Sequence, residues 1–431
     1  MPKAKRIFYG WYIVAASIGM NFYLSVVFFQ GFQVFFLPIA NEFGWSRALT
    51  SGAFSLRQLE SGLLAPVIGF LVDRWGPRTV ILWSVIASAG GLIMLGYINS
   101  LWTFYVAFFV ASLGVSGASH GVSWAVAVAN WFQRLQGRAL GIAMLGPVVG
   151  GPFVVTVAVA EGLLGWRIAV MLSGVGLLIV GIPLAMVARN RPERYGYLPD
   201  GDSPRRRPAG DVQEESYDQE EETWGLTAAQ AVRTRDFWVL TMLFAVQFVG
   251  ISGLMVHLIP LLEDINFSAA QAASILGLVF FLSGIGRVAA GFLADLLDFR
   301  LVMTCLVSSQ AVALLILTRI EGPVLWQVVI FALLFGIGFG GTIPLRPFTI
   351  MRVFGPRAFG ALQGLVQGGA LGAGVAGPVF YGSVFDSTES YDLALYASVI
   401  TVLVAIPLVF LLRTRHEAAA RPVDSIGASH P

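Results

Sequence analysis

The sequence predicts an all-α membrane protein in which twelve transmembrane helices form two pseudo-symmetric six-helix bundles. Of the 431 residues, 56% are hydrophobic and only 12% are charged, whereas about 25% are charged in a typical soluble domain. A soluble chain of this size could not bury so much apolar surface, but a bilayer accepts it. Two further observations, a one-sided distribution of basic residues and an internal repeat, support the same fold class.

Apolar stretches of the length that crosses a bilayer, about 20 residues, occur twelve times along the chain. The first runs over 11–40, which is too long for the apolar core of a secretory signal, so we expect it to be a retained span. The predicted spans are 10–38, 48–72, 79–99, 102–132, 138–163, 167–188, 237–262, 269–294, 300–319, 324–350, 357–384 and 391–412.

The basic residues give the orientation of these spans. If both termini are cytoplasmic, 21 of the 27 Lys and Arg residues fall in cytoplasmic segments. Three fall on the outer side (Arg47, Arg167 and Arg319), and three lie within spans (Arg57, Arg287 and Arg346). Loops on the cytoplasmic side of a membrane carry such an excess of positive charge. We therefore expect a multi-pass protein of the cell membrane with both termini in the cytoplasm.

A repeat divides the chain into two halves of the same orientation. The segment Gly69–Asp73 recurs as Gly291–Asp295, and an even number of spans lies between the copies. This pattern predicts duplication of a six-helix unit. The expected domains are a first bundle over 1–188, a linker over 189–234, a second bundle over 235–413 and a tail over 414–431.

Two segments of the first bundle resemble the major facilitator superfamily. The sequence GFLVDRWGPR at 69–78 matches the superfamily signature GxLaDrxGrk, and Gly146, Pro147 and Gly150 resemble its hinge motif. Other motifs are similar to the monocarboxylate and oxalate/formate transporter group, namely YGW at 9–11, FGWSR at 43–47, NWF at 130–132, GRALG at 137–141, PERYG at 192–196, PDG at 199–201 and HLIP at 257–260. The resemblance implies the twelve-helix transporter fold and a small organic anion as substrate.

The signature loop predicts a latch between helix ends. An acidic residue, Asp73, lies at a tight turn bounded by glycine, where it could accept hydrogen bonds from Arg138 or from main-chain amides at a neighbouring helix N-terminus. The alternative is ordinary flanking charge without a gating role. The residues assigned to the latch are Asp73, Arg74, Gly76, Arg78, Arg138 and Asp295.

Ionisable groups inside a bilayer are costly, so each is a functional candidate. Arg287 lies eight residues before Asp295, about 12 Å from the helix end at a rise of about 1.5 Å per residue. The resemblance implies that Arg287 binds the carboxylate of the substrate; a structural ion pair is the alternative. Gln30 and Ser283 stand where proton-coupled members of the resembled group have a lysine and an acid, so coupling through those positions is not expected.

Three other residues are candidates for proton coupling. Arg57 and Glu60 are three residues apart and therefore share a helix face; they could form a structural pair, or Glu60 could carry a proton. His120 is predicted to lie mid-span beside Ser116, Ser123 and Trp124, where it could titrate or be a hydrogen-bonded core residue. His120 is also a candidate substrate contact. The remaining ones are Trp124, Tyr23, Gln30, Gln247 and Gln363, for which helix packing is the alternative, and Arg346, which could instead snorkel to the membrane surface.

The function predicted is secondary transport of a small organic anion, in the monocarboxylate class, by alternating access, with proton coupling left open. The alternatives are an exporter of amphipathic compounds and a membrane sensor that keeps the fold. No nucleotide, metal or nucleophile motif occurs, so we expect no enzyme activity and no cofactor. The net charge of +2 gives no indication of nucleic-acid binding. The expected partners are the substrate and the bilayer, and the chain is expected to be a monomer.

Overall fold

The computed structural model describes residues 8–45, 47–119, 121–150, 153–201 and 225–412. All regular secondary structure in these ranges is helical. The first half contains Gly10–Leu24, the π-helical turn Ser25–Phe29, Phe32–Phe43, Arg47–Trp75, Pro77–Leu95, Leu101–Ala118, Ser123–Trp131, Gln136–Ala143, Gly146–Gly150, Val154–Leu164 and Trp166–Val187. The second half contains Arg235–Asp264, Ala269–Leu296, Phe299–Leu317, Leu325–Phe354, Phe359–Gly369, Leu371–Thr388 and Asp392–Leu411. Shorter helices of the connecting segment are Glu193–Tyr195, Pro199–Gly201 and Ala228–Val232.

Every predicted span coincides with one helix or with a series of consecutive helices. Among the described residues, ten helices are long and apolar enough to cross a membrane by length and composition alone. The two spans outside that set are the second, which carries Arg57 and Glu60, and the eleventh, which is divided at Ala370. With these two included, the chain has the predicted twelve-helix, two-bundle fold.

Four spans that the sequence predicts as continuous helices are interrupted: the first, the fourth, the fifth and the eleventh, whose division at Ala370 is described above. The first contains the π-helical turn and Gly31, where a Cβ atom would lie 1.8 Å from the carbonyl oxygen of Val26. The fourth breaks between Ala118 and Ser123, and the fifth breaks at Met144. Hydropathy does not detect such breaks because glycine and proline occur commonly in membrane helices.

The second span packs against the eleventh, and the eighth packs against the fifth, so two equivalent pairs of helices join the bundles. Glycine makes the close approach possible. A Cβ atom on Gly69 would lie 2.1 Å from the carbonyl oxygen of Gly360, and one on Gly291 would lie 2.2 Å from that of Gly137. We call the side of the molecule on which these contacts and the linker lie the linker side, and the opposite side the far side.

Candidate functional site at the interface of the bundles

Asp73 joins the second span to the eleventh. Its carboxylate accepts hydrogen bonds from the main-chain N–H groups of Gly360 (2.9 Å) and Ala361 (2.8 Å), which belong to the first turn of the helix Phe359–Gly369. These amides have no acceptor within their own helix, and the helix dipole favours an anion at this end. Of the two kinds of partner considered for Asp73, the structure therefore shows the helix amides.

Asp295 makes the equivalent contact in the other direction. Its carboxylate accepts hydrogen bonds from the main-chain N–H groups of Gly137 (2.7 Å) and Arg138 (3.0 Å). The Nε atom of Arg138 lies 3.4 Å from the same carboxylate, whose side chain is 2% exposed. Arg138 thus pairs with Asp295 rather than with Asp73. We call the two contacts the Asp73 latch and the Asp295 latch.

The other residues of the signature loop shape the turn after the second span. Gly76 has a φ of +82°, a conformation that residues with a side chain rarely adopt. It connects the helix that ends at Trp75 to the one that begins at Pro77. The main-chain N–H of Arg78 donates to Asn190 Oδ1 (3.3 Å), while Arg74 is exposed. Neither Arg74 nor Arg78 contributes an ion pair to a latch among the described residues.

The break in the fifth span leaves two carbonyl groups without helical partners. Pro147 has no N–H to donate to Ala143, and the N–H of Val148 bonds to Leu145 instead of Met144. The carbonyl oxygen of Ala143 accepts a hydrogen bond from the hydroxyl of Ser17 (3.3 Å). The carbonyl of Met144 accepts one from Arg287 of the other bundle. The Gly146-Pro147 motif therefore creates the acceptor that Arg287 uses.

Arg287 is buried, with 6% of its surface exposed. Its Nη1 atom donates to the carbonyl oxygen of Met144, and its Nε atom has no hydrogen-bond partner among the described residues. No described carboxylate forms an ion pair with it. Two glycine residues close to Arg287 in the same helix allow close packing on either side. Gly284 faces the fifth span, and Gly286 faces the tenth. The guanidinium group thus lies where the two bundles meet, with a neutral partner only.

Arg346 is a second cation in this part of the molecule. It lies in the helix Leu325–Phe354 between two proline residues, Pro344 and Pro347. Its Nε atom is buried and has no hydrogen-bond partner among the described residues. The structure therefore gives Arg346, like Arg287, no acidic neighbour to neutralise it within the described ranges.

Glu60 and Arg57 share a helix face, but no ion pair within 4.0 Å joins them. Glu60 is 4% exposed, and its Oε1 atom accepts a hydrogen bond from the hydroxyl of Ser116 (3.4 Å) in the fourth span. The guanidinium of Arg57 lies over the ring of Phe29, 5.4 Å from its centroid. Each side chain contacts a different neighbouring span, so the two charged groups are not in direct contact.

The fourth span contains His120 but is not one continuous helix. This residue lies outside the described residues, so the structure says nothing of its side chain. Its predicted neighbours Ser123 and Trp124 do not share a continuous helix face with Ser116, since the helix ends at Ala118 and resumes at Ser123. Trp124 is 1% exposed, and its Nε1 atom donates to the carbonyl oxygen of Ala118 (2.9 Å) across the break.

Four other candidates form hydrogen bonds between spans. The Tyr23 hydroxyl donates to the carbonyl oxygen of Ser173 (2.9 Å), and Gln247 Nε2 lies 3.5 Å from Gln310 Oε1. Each of these two contacts joins spans within one bundle. Gln30 Nε2 donates to Ser25 Oγ (2.9 Å) and to the carbonyl oxygen of Pro147 (3.3 Å). Gln363 Nε2 donates to the carbonyl oxygen of Gly121 (3.3 Å), so it crosses between the bundles.

Sequence reasoning included main-chain amides as possible partners of Asp73 but did not identify the residues that supply the main-chain groups of the site. Gly360 and Ala361 supply amides, and Met144 supplies a carbonyl, yet none has a side chain that indicates the role. A second, weaker repeat, in which 131–137 resembles 353–360 with a slip of one residue, was the available signal for Gly360. Because Gly137 and Gly360 occupy equivalent places in the repeat, recognition of one latch implies the other. The described residues contain no group of three or more metal-ligating side chains.

Comparison with known proteins identifies the family. The model of the Major Facilitator Superfamily matches residues 12–295 and 240–429. The chain belongs to this superfamily of transporters, and it is therefore a transporter by class and not an enzyme.

Relatives and solved structures agree with this assignment. The chain is 25% identical over 401 residues to an uncharacterised transporter of the same superfamily from Bacillus subtilis, covering 90% of each chain. It is 25% identical to the oxalate:formate antiporter of Oxalobacter formigenes, covering 79% of this chain and 78% of that protein. It is 22% identical to human monocarboxylate transporter 2, covering 89% and 81%.

Among solved structures, a proton:xylose symporter superposes with a TM-score of 0.73 at 14% identity, covering 96% of this chain and 98% of that one. A human organic anion transporter gives a TM-score of 0.68 at 14% identity, covering 93% and 99%. At this level of identity the structural likeness establishes the fold alone.

Proposed function

We propose that this protein is a secondary transporter that moves a small organic anion of the monocarboxylate class across the cell membrane by alternating access. The observation that carries the proposal is that Arg287 is buried without an acidic partner among the described residues. A buried cation without a counter-charge is strongly unfavourable, and the described residues give Arg287 only the neutral carbonyl of Met144. A substrate carboxylate would supply the missing charge in a geometry that guanidinium groups favour.

The named relatives support this class of substrate. An oxalate:formate antiporter and several monocarboxylate transporters match most of the length of the chain. Identities of 22–25% are too low to assign the particular substrate of a relative to this chain. The class of small carboxylates is common to these relatives, and it agrees with the unneutralised Arg287.

The two latches support the proposal of alternating access. Both connect one bundle to the other on the linker side, which the basic residues predict to be cytoplasmic. In this arrangement the linker side is closed, and release of the substrate to that side requires both latches to break. Because Arg287 also bridges the bundles, an anion that competes with the Met144 carbonyl would alter the same interface.

Glu60 is the proton carrier that we propose. It is buried, its described hydrogen-bond partner is the Ser116 hydroxyl, and it lies in the second span, which carries the Asp73 latch. Burial of an ionised carboxyl group without a counter-charge is costly. Movement of the second span would change its exposure and allow release of the proton.

We further propose that the transporter acts as a monomer.

Uptake into proteoliposomes tests the proposal. The purified wild type should accumulate labelled lactate, formate or pyruvate, and Arg287→Ala should abolish the uptake that wild type shows. Arg287→Lys should retain a part, because it keeps the charge but loses the planar donor geometry. The matched control is Arg319→Ala, since Arg319 is exposed on the far side. If Arg287→Ala transports carboxylates as fast as wild type, the proposed function is wrong.

A further inference from the structure

The beginning of the linker is fixed to the first bundle on the linker side. The guanidinium of Arg189 lies between two tyrosine rings, 3.9 Å from the centroid of Tyr9 and 4.2 Å from that of Tyr195. The ring of Tyr197 packs against Trp131 at a centroid distance of 5.9 Å. Aromatic contacts with a cation contribute to stability even at exposed positions. We call residues 189–201 the linker clip.

Asp200 is the polar centre of the linker clip. Its side chain is only 3% exposed, and it accepts hydrogen bonds from the main-chain N–H groups of Gln133 (3.1 Å), Arg134 (2.8 Å) and Leu135 (3.2 Å). The φ of Asp200 is 60°, a conformation that aspartate and asparagine tolerate better than most residues. One buried carboxylate thus orients three consecutive amides in the loop between the fourth and fifth spans.

The same loop continues directly into the Asp295 latch. Gly137 and Arg138, which donate to Asp295, follow Leu135 by two and three residues. Five N–H groups within six residues are therefore held by two carboxylates, one from the linker clip and one from the other bundle. Neighbouring peptide planes are joined through a single Cα atom, with only two soft dihedral angles between them. Fixing the first three amides therefore restricts the positions and directions available to the next two.

The other end of the linker contacts the loop that precedes the Asp73 latch. The main-chain N–H of Leu226 donates to the carbonyl oxygen of Phe354 (3.0 Å), at the end of the tenth span. Gly360 and Ala361, which bind Asp73, follow in the next helix. This contact is a single neutral hydrogen bond, whereas Asp200 makes three charge-assisted ones. The linker helix Ala228–Val232 also packs against Phe359–Gly369. Charge-assisted hydrogen bonds from the linker are therefore described only at the loop beside the Asp295 latch.

We infer that Asp200 is a positioning residue for the Asp295 latch, so that the linker clip helps to set the equilibrium between the closed and open states of the linker side. Asp200 does not touch the other bundle in any contact described above. It acts by presenting the amides of Gly137 and Arg138 to Asp295. The inference uses the proposed function only in that closure of the linker side belongs to a transport cycle.

Spin-label distance measurements on purified protein test this inference without any substrate. The labels are placed by Trp75→Cys and Leu297→Cys, both exposed at the linker-side ends of opposite bundles, in a Cys305→Ser background. Asp200→Asn keeps the size and the backbone tolerance of the residue but removes its charge. We expect the ratio of open to closed molecules to rise about three- to tenfold. This is smaller than the full effect of removing charge-assisted hydrogen bonds, because Asp200 acts on the latch only through the loop.

A double-mutant cycle separates positioning from general destabilisation. The rise in the ratio of open to closed molecules caused by Asp200→Asn should largely disappear in an Asp295→Asn background. In an Asp73→Asn background the same fold-increase should be added to the one that Asp73→Asn causes alone, so that the two factors multiply. Arg134→Ala is the matched control from the same loop. Its side chain is 69% exposed, and its Nε atom lies 3.8 Å from Asp200, so it should change the ratio less than about twofold.

Two results would overturn the inference: an unchanged ratio in Asp200→Asn, or an equal effect in the presence and absence of Asp295→Asn. Thermal unfolding in detergent shows whether the variant is folded. If Asp200→Asn does not fold, Tyr197→Ala loosens the linker clip without touching the amides that bind Asp295. It should raise the open fraction in the same direction, and an unchanged distance distribution in that variant would equally contradict the inference. Failure of carboxylate uptake would contradict the proposed function but would leave these distances unaffected.

Discussion

Arg287 of the second bundle donates a hydrogen bond to the carbonyl oxygen of Met144 in the first bundle. The acceptor is free because the fifth span is broken at Gly146-Pro147, and the donor is a buried cation without an acidic partner among the described residues. A hinge motif and a candidate substrate anchor are thus parts of one contact. Binding of an anion to Arg287 would therefore act directly on the helix break.

Replacement of Asp73 by asparagine should weaken closure of the linker side. The carboxylate accepts two main-chain N–H groups, whereas an asparagine offers one oxygen and would direct its own NH₂ group towards an amide donor. Hydrogen bonds to charged groups contribute about 1.5–3 kcal/mol, so we expect transport to slow by about tenfold with little change in melting temperature. Glu263→Gln, at an exposed far-side position, is the control. Transport at the wild-type rate by Asp73→Asn would show that this latch has no role in the cycle.

Addition of one methyl group at Gly69 should prevent full closure. A Cβ atom there would lie 2.1 Å from the carbonyl oxygen of Gly360, so Gly69→Ala should favour the open linker side. Gly90→Ala is a matched control within a helix, because nothing lies within 4 Å of its Cβ position. The control should be neutral or stabilised by about 0.5–1 kcal/mol. Accessibility of a linker-side cysteine distinguishes the two, and equal labelling of both variants would contradict this packing argument.

Neutralisation of Glu60 should uncouple transport from protons. Glu60→Gln keeps the hydrogen bond to Ser116 but cannot release a proton. We expect uptake driven by a pH gradient to be lost, while exchange of labelled for unlabelled substrate continues. Glu321→Gln, exposed on the far side, controls for the loss of a negative charge. Persistence of gradient-driven uptake in Glu60→Gln would assign proton coupling to another residue or to none.

An ion pair on the far side should make stability depend on pH. Beyond the apolar part of the first span, Glu42 accepts hydrogen bonds from Arg167 (2.7 Å) and Trp166 (2.6 Å), and the Arg167 hydrogen bond is the main cause that lowers the pKa of the Glu42 carboxyl. A depressed pKa contributes stability that is present above the ordinary glutamate value of 4.5 and is lost as the pH falls through the folded-state pKa. The melting temperature of Glu42→Gln should therefore be lower than that of wild type at pH 7, and the difference should shrink in acid. A constant difference across this range would show that the charge of Glu42 is not the cause.

Much of the fold could be predicted because the bilayer imposes simple rules. Span length, the distribution of arginine and the repeat of Gly69–Asp73 at Gly291–Asp295 each depend on sequence alone. The repeat also pointed to Asp73 and Asp295 as equivalent residues. Their partners were only partly predictable, since main-chain amides of another bundle leave no mark in the sequence near the aspartate.

The interrupted helices and the side-chain partners depend on tertiary structure. Spacing places Arg57 and Glu60 on one helix face, but it does not determine that Ser116 and Phe29 attract them in different directions. Similarly, a continuous fourth helix would have aligned Trp124 with Ser116. The break that prevents this is bridged by the hydrogen bond from Trp124 to Ala118. Such contacts follow from the packing of several spans at once.

Binding of a carboxylate to the purified protein tests the central claim most directly, because it requires neither gating nor a gradient. Calorimetric titration of wild type with a panel of formate, acetate, lactate and pyruvate should find a ligand whose affinity falls at least about tenfold in Arg287→Gln. Arg319→Gln should bind as wild type does. Equal affinity of wild type and Arg287→Gln for that ligand would contradict the assignment of Arg287 as the anion anchor.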